Sequence, residues 1–191
     1  MQTESNYKTK DKLLAGFALL FIMLMAYLWF SPSGVKTIPD LELTTVTGEK
    51  LTLESLRGRP VLVTFWATSC SGCIKEMPHL VDIHNQYAPQ GLKVIGISMP
   101  YDRPDHVMKM VQQKNLPYTI AMDISKEAVA AFGDVKLTPT TFLVSPKGVI
   151  VRQKIGEFDT KAVKAQIEGL LAVANNNPAT SLQPANDVRK N

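Results

Sequence analysis

The run Val61–Trp66 (VLVTFW) carries no charge, is rich in β-branched residues and gives way within four residues to a helical periodicity. Unbroken apolarity over this length predicts a strand buried on both faces, because a half-exposed strand would alternate. From Cys70 onward Ile74, Met77, Leu80, Val81 and His84 recur at spacings of three and four, which predicts a helix. Pro78 lies inside it, lacks an N–H and should kink it. A buried strand running straight into an amphipathic helix opens a βαβ unit and points to a layered α/β architecture.

The rest of the chain fits that start. LELTTV and LTL flank TGEK and predict a small hairpin ahead of the buried strand. GLKVIGISM reads as a second buried strand, Pro104–Asn115 as a helix with its proline in the first turn, PYTIAM as a short strand, and Ser125–Phe132 as a helix stopped by Gly133. TTFLVSPKGVIVRQKI is a hairpin around Ser145-Pro146-Lys147-Gly148, and Thr160–Ala174 is a last helix with Val163, Ile167, Leu170 and Leu171 inward. The order is a hairpin and then β-α-β-α-β-α-β-β-α. Helix-linked strands imply parallel pairs and the late hairpin an antiparallel one, so the expected sheet is mixed and flanked by helices.

Both ends of the 191-residue chain differ from this middle. Leu13–Phe30 is 18 residues without a charge, a helix of about 27 Å, close to the hydrocarbon thickness of a bilayer. Lys8, Lys10 and Lys12 precede it, and Tyr27 and Trp29 stand near its far end, where amphipathic rings favour the interface. These features predict one transmembrane anchor at 13–30, with residues 1–12 in the cytoplasm and the bulk of the chain on the other side. The rival readings are a cleaved signal and a buried core helix. A cleaved signal has a shorter apolar region and small residues at the cut, whereas this run ends in Leu28-Trp29-Phe30. Residues 31–38 read as a linker, 39–174 as one domain able to bury a core without disulfide staples, and 175–191 as a disordered tail of Asn, Pro, Ser and charge. The net charge of +4, from 21 basic and 17 acidic residues without a basic block, argues against nucleic acid as a partner.

The chain holds two cysteines, Cys70 and Cys73. A structural disulfide stabilises most by closing a long loop, and a two-residue spacer closes almost nothing. Structural zinc needs four ligands; there is no second cysteine pair, and His79, His84 and His106 have no paired ligand spacing. A Cys-x-x-Cys after a strand and at a helix start fits a redox centre. Unpaired N–H groups and the dipole of the helix favour a thiolate at Cys70, the attacking species in thiol–disulfide exchange. Cys73, one turn further in, would be more buried and would resolve the mixed disulfide.

VLVTFWATSCSGCIKEMP followed by TPTTFLV resembles a thioredoxin fold, and more closely the TlpA/ResA/CcmG-type membrane-anchored thioredoxin-like proteins. The resemblance spans Pro39 to Ala174 and includes the N-terminal hairpin and an extra central helix at Pro104–Asn115. It implies that Cys70 is the nucleophile and Cys73 the resolving thiol. It also implies that Pro139 follows a cis peptide bond in a loop facing the disulfide, and that Glu76, in Lys75-Glu76-Met77-Pro78, exchanges protons with the thiols. If partly buried, Glu76 would have a raised pKa; as a solvated helix residue it would simply pair with a base. Thr138, Pro139 and Trp66 are the implied client-binding residues.

The chain departs from that pattern in three places. Thr64 stands where thioredoxins carry a buried Asp, Ser69 where many relatives have Trp, and Ser71-Gly72 form a spacer without the usual proline before the second cysteine. Gly72, a poor helix residue, would loosen the turn. His79 and His84, five apart, do not share a metal face, and the scattered Met99, Met108, Met110 and Met122 read as core. A lone-cysteine peroxidase motif is also disfavoured, since Thr68 is only two residues before Cys70.

With its N-terminus inside, the domain would face an oxidising compartment beyond a bacterial cytoplasmic membrane, where thiols persist only if electrons are supplied. The resemblance implies a protein-disulfide reductase fed by a membrane electron donor, with clients such as apocytochrome c haem motifs or copper-delivery proteins. No cofactor and no metal are expected. The alternatives are a disulfide oxidase or isomerase, and a copper-binding metallochaperone using the thiols as soft ligands.

Overall fold

The computed structural model describes residues 37–176, together with residue 16, residues 18–23 and residue 25. Residues 18–23 are helical and exposed. Among the described residues no helix is long and apolar enough to cross a membrane. The anchor expected over 13–30 lies largely outside the described residues, as do residues 1–12, most of the linker and most of the tail.

Among the described residues seven strands form two sheets. β1 (Glu42–Thr44) and β2 (Lys50–Thr52) are a short antiparallel hairpin with Leu43 opposite Leu51. β3 (Val61–Trp66), β4 (Lys93–Ser98), β5 (Thr119–Met122), β6 (Thr140–Val144) and β7 (Ile150–Ile155) make a five-stranded sheet in the order β5-β4-β3-β6-β7. β3 runs parallel to β4 and β4 to β5, while β6 is antiparallel to both β3 and β7, so the sheet is mixed. Four helices join them: α1 (Ser71–Tyr87), α2 (Pro104–Gln113), α3 (Glu127–Ala131) and α4 (Thr160–Asn175). The hairpin leans on the sheet at β5, where the Val46 N–H donates to the Ile120 carbonyl at 2.9 Å.

The continuous apolarity of β3 follows from its central place. Val61, Val63 and Phe65 point to one face and pack with Ile95, Ile97, Phe142, Phe132 of the α3 end and Leu53 beside the hairpin. Leu62 and Trp66 point to the other face, against Met77, Leu80 and Ile83 of α1 and Val163, Ile167 and Leu171 of α4. Between them on that face, Thr64 is buried, and its hydroxyl pairs with that of Thr141 at 3.0 Å across the β3–β6 ladder. A buried hydroxyl is thereby satisfied without a charge.

Two elements differ in detail from the periodicity. In α1 the fully buried residues are Cys73, Glu76, Met77, Leu80, Ile83 and Tyr87, while Ile74, Val81 and His84 are half-buried. The inward stripe is rotated because the helix packs against both the sheet and α4, and it is wide enough to enclose a carboxylate. The helix runs through Pro78, which is exposed. α3 begins two residues later than expected, because Lys126 is left-handed (φ 68°) and the buried Asp123 caps the helix, accepting the N–H groups of Ala128 at 2.9 Å and Val129 at 2.8 Å.

Candidate active site

Beyond Trp66 the chain leaves the sheet and turns through Ala67-Thr68-Ser69 into α1, with the Cys70 N–H donating to the Ala67 carbonyl at 3.1 Å. Asp102, in the connection between β4 and α2, clamps this turn. Its carboxylate accepts from the Thr68 N–H and from the Thr68 hydroxyl, both at 2.6 Å.

Cys70 is the N-cap of α1, with extended backbone (φ −89°, ψ 104°), and its own sulfur takes the capping role by accepting the Cys73 N–H at 3.1 Å. A capping acceptor satisfies one of the N–H groups that a helix start leaves free. Here that acceptor is the atom that becomes a thiolate on reduction, so the capping bond and the helix dipole both favour the charged sulfur. Cys70 and Cys73 are joined as a disulfide across Cα atoms 5.3 Å apart. Cys70 is half-buried and Cys73 is 2% exposed, so a partner reaches the first sulfur and not the second.

Glu76, one turn below Cys73, is buried at 3% exposure. Its Oε1 accepts the Phe158 N–H at 2.9 Å, at the entrance to α4, and its Oε2 has no protein partner. Burial pushes its pKa up to about 7; the Phe158 N–H opposes the rise and the neighbouring Glu157 charge adds to it. A carboxyl group tuned near neutrality both gives and takes a proton at working pH.

The Thr138–Pro139 peptide bond is cis. Pro139 is buried and Thr138 half-buried. Their loop lies against the cysteine spacer: a Cβ placed on Gly72 would stand 3.5 Å from Pro139 Cδ and 3.4 Å from Glu157 Oε1. Trp66 is placed elsewhere. It is 3% exposed, with its indole over Gly96 of β4, where a Cβ would come within 3.1 Å of Trp66 Nε1. Trp66 thus presents no face to a client and belongs to the core. Ser69 and Ser71 are exposed on either side of Cys70. His79 is exposed, and His84 is half-buried beside Tyr118, with burial and then Lys93 holding its pKa down. Among the described residues no group of three His, Cys, Asp or Glu side chains stands together as a metal site.

The structure thus gathers Cys70, Cys73, Glu76 and the cis-proline loop at one end of the sheet. Asp102 and Glu157 join them without having been singled out in the sequence. The available signal was positional, since Asp102 follows the carboxyl end of a parallel strand, where α/β sheets build their sites.

The AhpC/TSA family model matches residues 35–153. The chain belongs to the AhpC/TSA family. Among curated proteins, the thiol-disulfide oxidoreductase ResA of Bacillus thuringiensis (strain Al Hakam) is 34% identical over 137 residues, covering 71% of this chain and 75% of that protein. The thioredoxin-like protein YneN of Bacillus subtilis (strain 168) is 30% identical over 168 residues, covering 82% and 97% of the two chains. Among solved structures, a thioredoxin-family thiol:disulfide interchange protein from Chlorobium tepidum TLS superposes with a TM-score of 0.66 at 23% identity, over 73% of this chain and 98% of that one, which speaks for the fold. These relatives agree with the resemblance to TlpA/ResA/CcmG-type proteins. The chain is an enzyme of the thiol:disulfide oxidoreductase class with a thioredoxin-like α/β fold.

Proposed function

We propose that this protein is a membrane-anchored thiol:disulfide reductase whose catalytic domain works on the extracytoplasmic side of a bacterial cytoplasmic membrane. The observation that carries the dithiol-exchange reading is the half-buried Cys70 sulfur at the N-cap of α1, accepting the Cys73 N–H, with Cys73 shielded behind it; the reducing direction rests on the likeness to ResA-type relatives. In the reduced enzyme the Cys70 thiolate attacks one sulfur of a client disulfide and expels the other as a thiolate, which takes a proton. Glu76 accepts the proton of the Cys73 thiol, directly or through water. The Cys73 thiolate then attacks Cys70, releasing the second client thiol and closing the Cys70–Cys73 disulfide. Two electrons have passed from enzyme to client, and a membrane dithiol donor restores the reduced form by the reverse exchange.

The apolar run at 13–30 and its lysine flank support the anchor, which would raise the domain's effective concentration toward a membrane donor. Its clients would be extracytoplasmic proteins whose cysteine pairs must stay reduced for haem attachment or copper delivery. Alkylation trapping in intact cells tests the direction of electron flow. The pair should be reduced while the donor is present and oxidised when it is deleted. A pair that stays oxidised in both cases sinks the reading, and a potential near about −120 mV would mark an oxidase instead. A Cys73→Ser variant should accumulate clients covalently on Cys70, which identifies them.

A further inference from the structure

Glu157 has no task in the exchange just described, yet its position is tightly set. The Gly156 N–H donates to the Pro139 carbonyl at 2.8 Å, tying the turn after β7 to the cis-proline loop. Gly156 is left-handed (φ 82°), and the chain then delivers Glu157 above the cysteine spacer. There Oε1 and Cγ come within 3.4 and 3.8 Å of the Cβ position of Gly72, with Pro139 Cδ at 3.5 Å from the same point. The residue is exposed, and among the described residues its carboxylate makes no ion pair. Two apolar side chains on the segments that lead to this turn and to the cis-proline loop are open: Ile155, opposite Thr140 in the β6–β7 ladder, is 54% exposed, and Leu137, two residues before Pro139, is 61% exposed. Beside the cysteine spacer the cis-proline loop thus meets an exposed carboxylate that makes no ion pair among the described residues, while Lys136, next to Leu137, is paired with Asp134 at 3.7 Å.

We propose that Glu157 is a specificity-determining residue, selecting clients whose reactive cysteine is flanked by a cationic side chain. This rests on the reductase reading. A client chain lying along the cis-proline loop, with its sulfur against Cys70, carries its neighbouring residues past Gly72. A lysine or arginine there meets the Glu157 carboxylate, while an acidic residue meets like charge at the moment of docking. Gly72 fits this role, since a side chain in its place would stand between the carboxylate and the client.

The test uses the full chain and two cyclic disulfide peptides that differ only beside the attacked cysteine, one with Arg and one with Glu. kcat/KM for reduction is measured at low ionic strength and in about 0.5 M salt. The wild type should prefer the Arg peptide by roughly two- to fivefold at low salt and lose that preference at high salt. Glu157→Gln should bring the ratio close to one, and Glu157→Lys should invert it. Because each ratio is taken within one variant, a change in folded fraction cancels. Equal reduction of the two peptides by the wild type, or a ratio that survives Glu157→Gln, overturns the proposal alone. Failure of the reduced wild type to act on either peptide overturns the reductase reading and this proposal with it.

Discussion

Glu76 shows how one side chain couples proton chemistry to stability. Its pKa stands at about 7 in the folded protein against an ordinary 4.5. The folded state therefore holds a proton that the unfolded chain releases, and stability falls as pH rises from about 4.5 to about 7. The loss is on the order of 3 kcal/mol. Urea unfolding at pH 4, 6 and 8 should show Glu76→Gln matching the wild type at pH 4 and exceeding it at pH 8, with the slope between largely gone. The same variant should lower kcat/KM by about a hundredfold and remove the pH limb near neutrality, as loss of a proton-transfer group does. The family resemblance carried by Lys75-Glu76-Met77-Pro78 singles this residue out. Its hydrogen-bond donor was not legible, because the Phe158 N–H lies 82 residues away and reaches Glu76 only once α1 and α4 pack. Trp66 illustrates the opposite limit: an aromatic at the end of a site-bearing strand has the same local sequence whether it faces clients or the core. The bare surface of Gly96 on the neighbouring strand decided for the core.

At the scale of elements, the site depends on a clamp between two loops. Asp102 satisfies the Thr68 backbone N–H and hydroxyl together, so Asp102→Ala should cost about 1–3 kcal/mol, while Thr68→Val, which loses only the hydroxyl bond, should cost about 0.5–1.5 kcal/mol. Denaturant titrations of the two single variants and the double variant should show clear non-additivity, since both changes break one shared interaction. The spacer offers a second check. Gly72 is in the first turn of α1, and a Cβ there would make ordinary contacts at 3.4 Å and beyond, so Gly72→Ala should stabilise the oxidised protein by up to about 1 kcal/mol. Within 39–174 every strand and helix expected from the pattern is present, with boundaries moved by a residue or two. The later start of α3 traces to capping by Asp123, which lies outside the periodic segment.

For the domain from residue 37 onward, the two faces of the central sheet account for a core running from Ile38 to Leu171. A fragment beginning at Thr37 should therefore unfold in a single transition and reduce soluble disulfides at the full chain's rate. Under the proposed anchoring by residues 13–30, the fragment should be found more oxidised in cells than the full chain, through lost proximity to the proposed donor.

The sheet's two margins carry a last consequence. At one side the hairpin closes onto β5, through the Val46–Ile120 bond and the Thr45–Ala121 bridge. At the other, β7 joins β6 with a register irregularity at Leu143/Val144, and Arg152 and Lys154 lie along its length. Capped on one side, and bulged and charged on the other, the sheet is a poor template for a further strand. A disulfide-bearing client that meets this sheet thus finds no open margin on which to add a strand, which guards the enzyme against edge-to-edge association with the proteins it serves.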